Sequence, residues 1–472
     1  MIDRMGISDL KQPGAVLLVS CYELGHQPMG IALPLAFLER AGFHPACLDT
    51  STQAFDETLV RNARFAGISV PMHTALRLGC RTAREIRKLN PQCHICFFGL
   101  YASLNSAYLL SGISDSVIGG EYEETLVRLV GALDSGNAEA VQGVECLGAA
   151  FPPPLGRLTF PIPQRSQLPG LEKYARVERK GHRHLVGYVE ASRGCKHYCL
   201  HCPIPPVYAG RFFVVPREIV LEDITRLVRL GARHITFGDP DFLNGPGHSL
   251  KIVRAMHDRF SFLTFDFTAK IEHLMQRRAL LPELAQCGCV FIVSAAESLS
   301  DAVLANLRKG HTRADFFKAL KIVRNAGIVL RPSFVSFTPW TTLDDYLEVL
   351  EVAEKEDLLD CIDPIQYTVR LLVPPRSGLL ARSAIQPYLG RFVPEQFSYQ
   401  WSHPDPRMDE LHKEVSELVE VAAAEDDDPL RIYARIRELA CAVREGRPPD
   451  WTLAVPPASV SSPTRLTEPW FC

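Results

Sequence analysis

The N-terminal part of this chain has no long apolar run. Its first apolar stretch, Ala15 to Val19, is far too short for a leader or for the roughly 20 residues of a membrane-spanning helix. A surplus of charge is missing as well. Lys and Arg number 51 against 54 Asp and Glu, a net charge of −3, which gives neither a basic field for nucleic acid nor an acidic tail. No internal repeat and no low-complexity block breaks the sequence. Fourteen cysteines in 472 residues are too sparse for the disulfide framework of a small secreted domain. Most of them stand singly in apolar segments, as buried thiols do. These absences point to a reducing cytoplasm, with no membrane and no nucleic-acid partner. What is present, 47% hydrophobic and 22% charged residues, is the make-up of a globular protein. The length asks for two or three folded units.

The first third alternates short apolar runs (Ala15–Val19, Ala46–Leu48, Phe65–Val70, His94–Phe98, Ser116–Ile118) with amphipathic stretches (Leu33–Ala41, Thr74–Leu89, Leu104–Leu110, Glu123–Leu133). Such alternation predicts an α/β fold, a doubly wound parallel sheet over residues 1–135. Residues 136–183 carry Pro152-Pro153-Pro154, Pro161, Pro163 and Pro169 and read as a stiff connector. Alternation resumes with strands expected at His184–Val189, His234–Phe237, Thr264–Thr268, Val290–Ala295, Val329–Ser336 and Ile365–Leu372, and helices at Ile219–Leu230, Leu250–Arg259 and Leu343–Glu354. Six βα units over 184–384 suggest a partial barrel, with its chemistry on the loops after the strands. From 385 to 472 the chain reads as helical and polar, with an acidic run at Glu425–Asp428 and a proline-rich end.

The most informative stretch is Cys195-Lys196-His197-Tyr198-Cys199-Leu200-His201-Cys202, which falls just after the first expected barrel strand. Three thiolates in a C-x3-C-x2-C spacing can hold three irons of a 4Fe–4S cube and leave the fourth iron open to a small molecule. A zinc knuckle fits the same spacing if His197 or His201 supplies a fourth ligand.

Arg193-Gly194 before the first cysteine and Pro203 after the last complete a pattern that resembles the signature of radical S-adenosylmethionine (SAM) enzymes. The resemblance covers residues 184 to about 380. It implies a cluster on Cys195, Cys199 and Cys202 that cleaves SAM to methionine and a 5′-deoxyadenosyl radical, with an external one-electron donor of the flavodoxin or ferredoxin type. It places Gly238 and Asp239, of Gly238-Asp239-Pro240-Asp241-Phe242, at the SAM amino group, and Glu297 at the ribose. Arg331 and Ser333 join them on the fifth strand, and Pro374-Pro375-Arg376-Ser377-Gly378 echoes the turn that closes the sixth. His201 stands where the family often has an aromatic residue.

Residues 14 to about 135 resemble the cobalamin-binding domain that precedes many such cores. The cue is Gly119-Gly120-Glu121-Tyr122-Glu123-Glu124-Thr125, a turn whose glycines admit close approach of a ligand to backbone. The resemblance implies cobalamin contacts at Gly119, Gly120 and Glu121. The Asp-x-His-x-x-Gly motif of cobalt-ligating domains is absent, and His26 and His73 are the loop histidines on the expected ligand edge. The last residues, Leu466 to Cys472, resemble the tail of a radical SAM family that ends Cys-(Sec or Cys)-Ala-Glu-Pro, cut after its first cysteine. The expectation is methyl transfer to an unactivated carbon or phosphorus of an unidentified small molecule. A non-methylating rearrangement and a non-enzymatic Fe–S or metal-handling role for sulfur or selenium are the alternatives.

Overall fold

The structure, a computed structural model, describes residues 9–136, 141–425, 427–452 and 464–467. Strands β1 (Val16–Ser20), β2 (Ala46–Asp49), β3 (Phe65–Ser69), β4 (His94–Phe98), β5 (Ser116–Ile118) and β6 (Val144–Glu145) form the first sheet, in the order β2-β1-β3-β4-β5-β6. The first five are parallel and β6 runs antiparallel at the edge. Alternate residues of each strand enter different cores, as the period of two demands. Val16, Leu18, Phe65, Cys96 and Phe98 face helices Met29–Arg40 and Glu123–Asp134. Leu17, Val19, Ala66, Ile68 and Phe97 face helix His73–Leu89. The expected helix over 104–110 is instead two short ones, Leu100–Leu104 and Ser106–Leu110, which break at Asn105.

The connector is less bare than its prolines suggest. It supplies β6 and then β7 (Arg176–Arg179), which lies antiparallel to β8 (His182–Val189). A two-stranded ribbon, β9 (Ser192–Gly194) with β10 (Phe212–Val214), brackets the cysteine loop. Strands β11 (His234–Phe237), β12 (Thr264–Thr268), β13 (Cys289–Glu297) and β14 (Val329–Phe334) continue the second sheet in parallel with β8. Helices Arg217–Arg229, Pro246–Arg259, Arg313–Asn325 and Leu343–Lys355 accompany them.

The sixth barrel strand expected at Ile365–Leu372 is corrected. Pro364–Tyr367 is a 3-10 turn, and the stretch pairs in parallel through an isolated bridge between Phe337 and Arg370. Pro364 brings no N–H to a ladder, and the Gln366 side chain accepts from Phe334 N at 3.1 Å in place of a backbone partner. The result is a curled half-barrel of five parallel strands, edged by β7 and β17 (Arg465–Leu466).

A hairpin that the sequence reading lacked, β15 (Leu389–Val393) with β16 (Ser398–Trp401), precedes two helices, Pro406–Ala424 and Pro429–Glu445. Both helices start on an Asp cap followed by proline, Asp405-Pro406 and Asp428-Pro429. Among the described residues no helix is long and apolar enough to cross a membrane. Cys472 and residues 468–471 lie outside the described residues.

Candidate active site

Strand β8 ends at Val189, and the chain turns into the cysteine loop under tight control. Asp239 accepts from Ala191 N at 3.0 Å and from the Ser192 hydroxyl. Burial pushes its carboxyl up to about 7. Gly194 has φ +72, and a Cβ there would strike the Arg211 carbonyl and the Tyr208 ring. Only glycine meets both demands.

Cys195 and Cys199 are buried and Cys202 half-buried. Asn244 Nδ2 donates to Cys195 Sγ at 3.6 Å. Burial first, and then Cys199 and Cys195, push the Cys202 thiol up to about 12. Thiols whose burial disfavours the thiolate, as at Cys195 and Cys202, suit a cation that replaces their protons. The outer side of the loop is open, with Lys196 and Tyr198 exposed between the first two cysteines.

A cation lies beside the thiols. Lys309, 2% exposed, reaches Glu297 Oε1 at 3.1 Å, and His201 Nε2 meets the same oxygen at 3.1 Å. Burial pulls Lys309 down, but Glu297 and the thiols of Cys199 and Cys202 outweigh it and hold the ammonium above its ordinary value. Burial alone would raise Glu297; Lys309 and His201 override it and hold the carboxylate far below its usual range. Glu297 also sits at φ +65, a strained conformation for a side chain this large, at a register shift between β13 and β14. His201 is thus committed to Glu297.

The second histidine of the loop is equally committed. His197 Nε2 lies 3.2 Å from His273 Nε2, and His273 Nδ1 lies 2.8 Å from Asp241 Oδ2. Asp241 also accepts from Leu243 N and Lys270 N. The carboxylate makes His273 Nδ1 the donor, so His273 Nε2 accepts from His197. Burial, followed by Lys270 and His273, lowers His197 to about 4. This Asp–His–His chain was not foreseen, because its members are 32 to 76 positions apart. Asp241, two positions after Asp239 in the same motif, is the signal the sequence offers.

The remaining barrel residues hold framework positions. Gly238 packs on Tyr188, whose hydroxyl a Cβ would strike. Arg331 is buried and spans Asp363 Oδ2 and Asp360 O, both at 3.2 Å. Ser333 is half-buried in β14.

The carboxyl edge of the first sheet faces this loop. Glu23 accepts from Gly30 N at 2.9 Å at the start of helix Met29–Arg40, so a carboxylate of the chain fills the anion position of that helix. Burial pushes Glu23 up to about 8. His26 stacks on Tyr188 at 4.7 Å, and burial lowers it to about 4. His73 Nε2 meets Gln396 O at 2.8 Å. Gly119 lies on Ser103, and Gly120, at φ +62, lies on Pro153 and Pro154. At Gly120 the close approach is made by the connector, and at Gly119 by Ser103 of helix Leu100–Leu104. Glu121 Oε1 accepts from Tyr208 OH at 2.9 Å, and Glu121 Oε2 stands 3.6 Å from Arg193 Nη1. Glu123 Oε1 lies 2.6 Å from the same nitrogen, and Arg193 Nε donates to Glu190 at 2.8 Å. Burial raises both Glu121 and Glu123 despite Arg193. Glu123 Oε2 is buried without a hydrogen-bond or ion-pair partner.

Residues 189–355 match the profile of the Radical SAM superfamily. Hopanoid C-3 methylase of Methylococcus capsulatus is 25% identical over 264 residues, 55% of this chain and 50% of that protein. A tRNA-2-methylthio-N(6)-dimethylallyladenosine synthase of Desulfosudis oleivorans is 27% identical over 211 residues, 41% of this chain and 43% of that protein. The chain therefore spans about half the length of these curated relatives. The solved structure of the cobalamin-dependent SAM radical enzyme OxsB, with aqua-cobalamin and SAM bound, superposes with a TM-score of 0.71 at 15% identity, over 92% of this chain and 72% of that one. The methyltransferase TsrM of Kitasatospora setae, with cobalamin and a [4Fe–4S] cluster bound, gives 0.66 at 16%, over 92% and 100%. The fold of the chain is that of these two proteins. The Radical SAM match over residues 189–355 implies a 4Fe–4S cluster and SAM as cofactors.

Proposed function

We propose that this chain is a cobalamin-dependent radical SAM enzyme that methylates an unactivated carbon or phosphorus of a small molecule. The observation that carries the reading is the placement of Cys195, Cys199 and Cys202 at the carboxyl end of the first parallel strand of a half-barrel, beside a buried lysine that offsets thiolate charge. When bound, the cluster and SAM supply one-electron cleavage of a sulfonium and cobalamin supplies methyl transfer. The three thiolates hold the cluster. Lys309 lowers the cost of their charge in a dry setting. Glu297 holds Lys309 and turns His201 toward itself, so neither is free to wander onto the metal. The His197–His273–Asp241 chain fixes the middle of the loop from the other side.

Cobalamin is assigned to the carboxyl edge of the first sheet. That edge offers one acceptor in want of a donor, Glu123 Oε2, and corrin side chains end in N–H-bearing amides. Neither His26 nor His73 is presented as a cobalt ligand. An external one-electron donor is the proposed partner, approaching over exposed Lys196 and Tyr198.

Anaerobically reconstituted protein with SAM and a strong reductant tests the reading. Formation of 5′-deoxyadenosine that disappears in Cys199→Ala is expected, together with cobalamin retained through anaerobic purification. A protein that holds a cluster and never cleaves SAM refutes the enzyme. One that cleaves SAM but retains no cobalamin refutes the methyl-transfer half and leaves a non-methylating radical reaction.

A further inference from the structure

The cysteine loop begins at Arg193-Gly194 and ends at the short helix Pro205–Tyr208. Each end is held by the first sheet rather than by the barrel alone. At the front end Arg193, 7% exposed, is gripped by Glu121 and Glu123 and covered by two rings, Tyr122 at 5.9 Å and Phe160 at 5.5 Å. At the back end Tyr208 OH donates to Glu121. Arg376 adds a third tie, reaching Ser103 O at 3.4 Å and Pro206 O at 3.3 Å. One carboxylate thus touches both ends, with Oε1 on Tyr208 and Oε2 facing Arg193. Glu121 is 2% exposed and belongs to the turn after β5.

We propose that Glu121 is an interdomain staple that closes the two ends of the cluster-bearing loop, which makes the first domain a positioning element of the iron–sulfur centre. That the loop carries a cluster rests on the radical SAM reading; the staple rests on contacts within the chain. Three features favour a staple over ordinary packing. The carboxylate is divided between two partners that flank the cysteines in sequence. The Arg193 pairing is buried, so it is little screened by solvent. The outer face of the loop is open, so its ends order what the inner ties of His197 and His201 do not reach.

Amide hydrogen exchange on the full-length chain, in cluster-loaded and cluster-free forms, tests this. Glu121→Ala is expected to raise exchange across 193–208 about tenfold while β1 and β3 stay protected. Glu121→Gln keeps an acceptor for Tyr208 and loses the charge on Arg193; Tyr208→Phe loses the other arm. Each is expected to fall between wild type and alanine. At unchanged iron content, the electron paramagnetic resonance lines of the reduced cluster broaden in Glu121→Ala. Exchange across 193–208 within about twofold of wild type overturns the proposal. So does exchange that rises equally in β1 and β3, since Glu121 is then only a core residue of its own sheet. If Glu121→Ala does not fold, Tyr208→Phe, which removes one oxygen, carries the same two outcomes. Wild-type protein that forms no 4Fe–4S centre refutes the radical SAM reading, while exchange on the cluster-free chain still decides the staple.

Discussion

The loops that follow β1 and β8 occupy the same place in two parallel sheets and have been turned to opposite ends. After β1 the chain folds Glu23 back onto the start of its own helix, where its carboxyl group takes the Gly30 N–H. After β8 the chain instead gathers three thiols and sets a buried ammonium beside them. One loop answers its own electrostatic demand; the other needs a cation from outside to complete it. Buried carboxylates in one region and buried thiols with a lysine in the other explain why only the second has the make-up of a metal centre.

The sharpest break comes from the thiols. Alanine at Cys195, Cys199 or Cys202 is expected to abolish the roughly four irons per chain of a reconstituted 4Fe–4S centre, read by iron and sulfide analysis, whereas alanine at Cys21 after β1 leaves them in place. Retention of iron by the triple variant ends the assignment. Next in size is Lys309→Met. It strips Glu297 of its buried ammonium, leaving only His201 on the carboxylate, and is expected to cost about 3 kcal/mol in denaturant unfolding of the cluster-free chain. Adding Glu297→Gln should recover much of that, because the carboxylate charge goes with it.

A glycine pair comes third. Ala at Gly120, where φ is +62 and the Pro154 carbonyl stands in the way, is expected to lower stability by more than the ~1–2 kcal/mol of the left-handed conformation alone. Ala at Gly136, at φ +69 with open space around it, should cost about that smaller amount in the same thermal scan.

The smallest effect concerns Glu23 and pH. Its folded value of about 8 lies above the ordinary 4.5, so the native state binds the proton more tightly than the unfolded chain does. Stability from this group is full below about 4.5 and is lost as pH rises toward 8. Glu23→Gln is expected to match wild type at pH 4 and exceed it by about 1 kcal/mol or more at pH 8. An unchanged pH slope in the variant removes Glu23 from the comparison.

Much of this arrangement is legible in the order of residues. Strands β11 and β12 fall where the apolar runs place them, and the cysteine loop follows its strand, because period and turn chemistry are local signals. The sixth strand misleads because Ile365–Leu372 is apolar enough for a strand, while the Gln366 side chain takes the amide that a strand would have used. The hairpin at 389–401 and the edge strands β6, β7 and β17 are too short for periodicity to show. At the site, Glu297 is found by motif, but its ties to His201 and Lys309 are not, since each crosses a loop. The grip of Glu121 and Glu123 on Arg193 joins positions some 70 residues apart, and nothing in either segment announces the other.

The hairpin has a consequence for biosynthesis. Phe397, carried in from far down the chain, lies within the core on the outer face of the first sheet, against Tyr108 at 5.4 Å and His73 at 6.1 Å. A ribosome emits the first sheet early, yet that face stays unfinished until some 260 further residues have been added, a wait of roughly 10–50 s at ordinary elongation rates. During that interval the nascent protein displays an apolar hollow that its own C-terminal part is destined to plug.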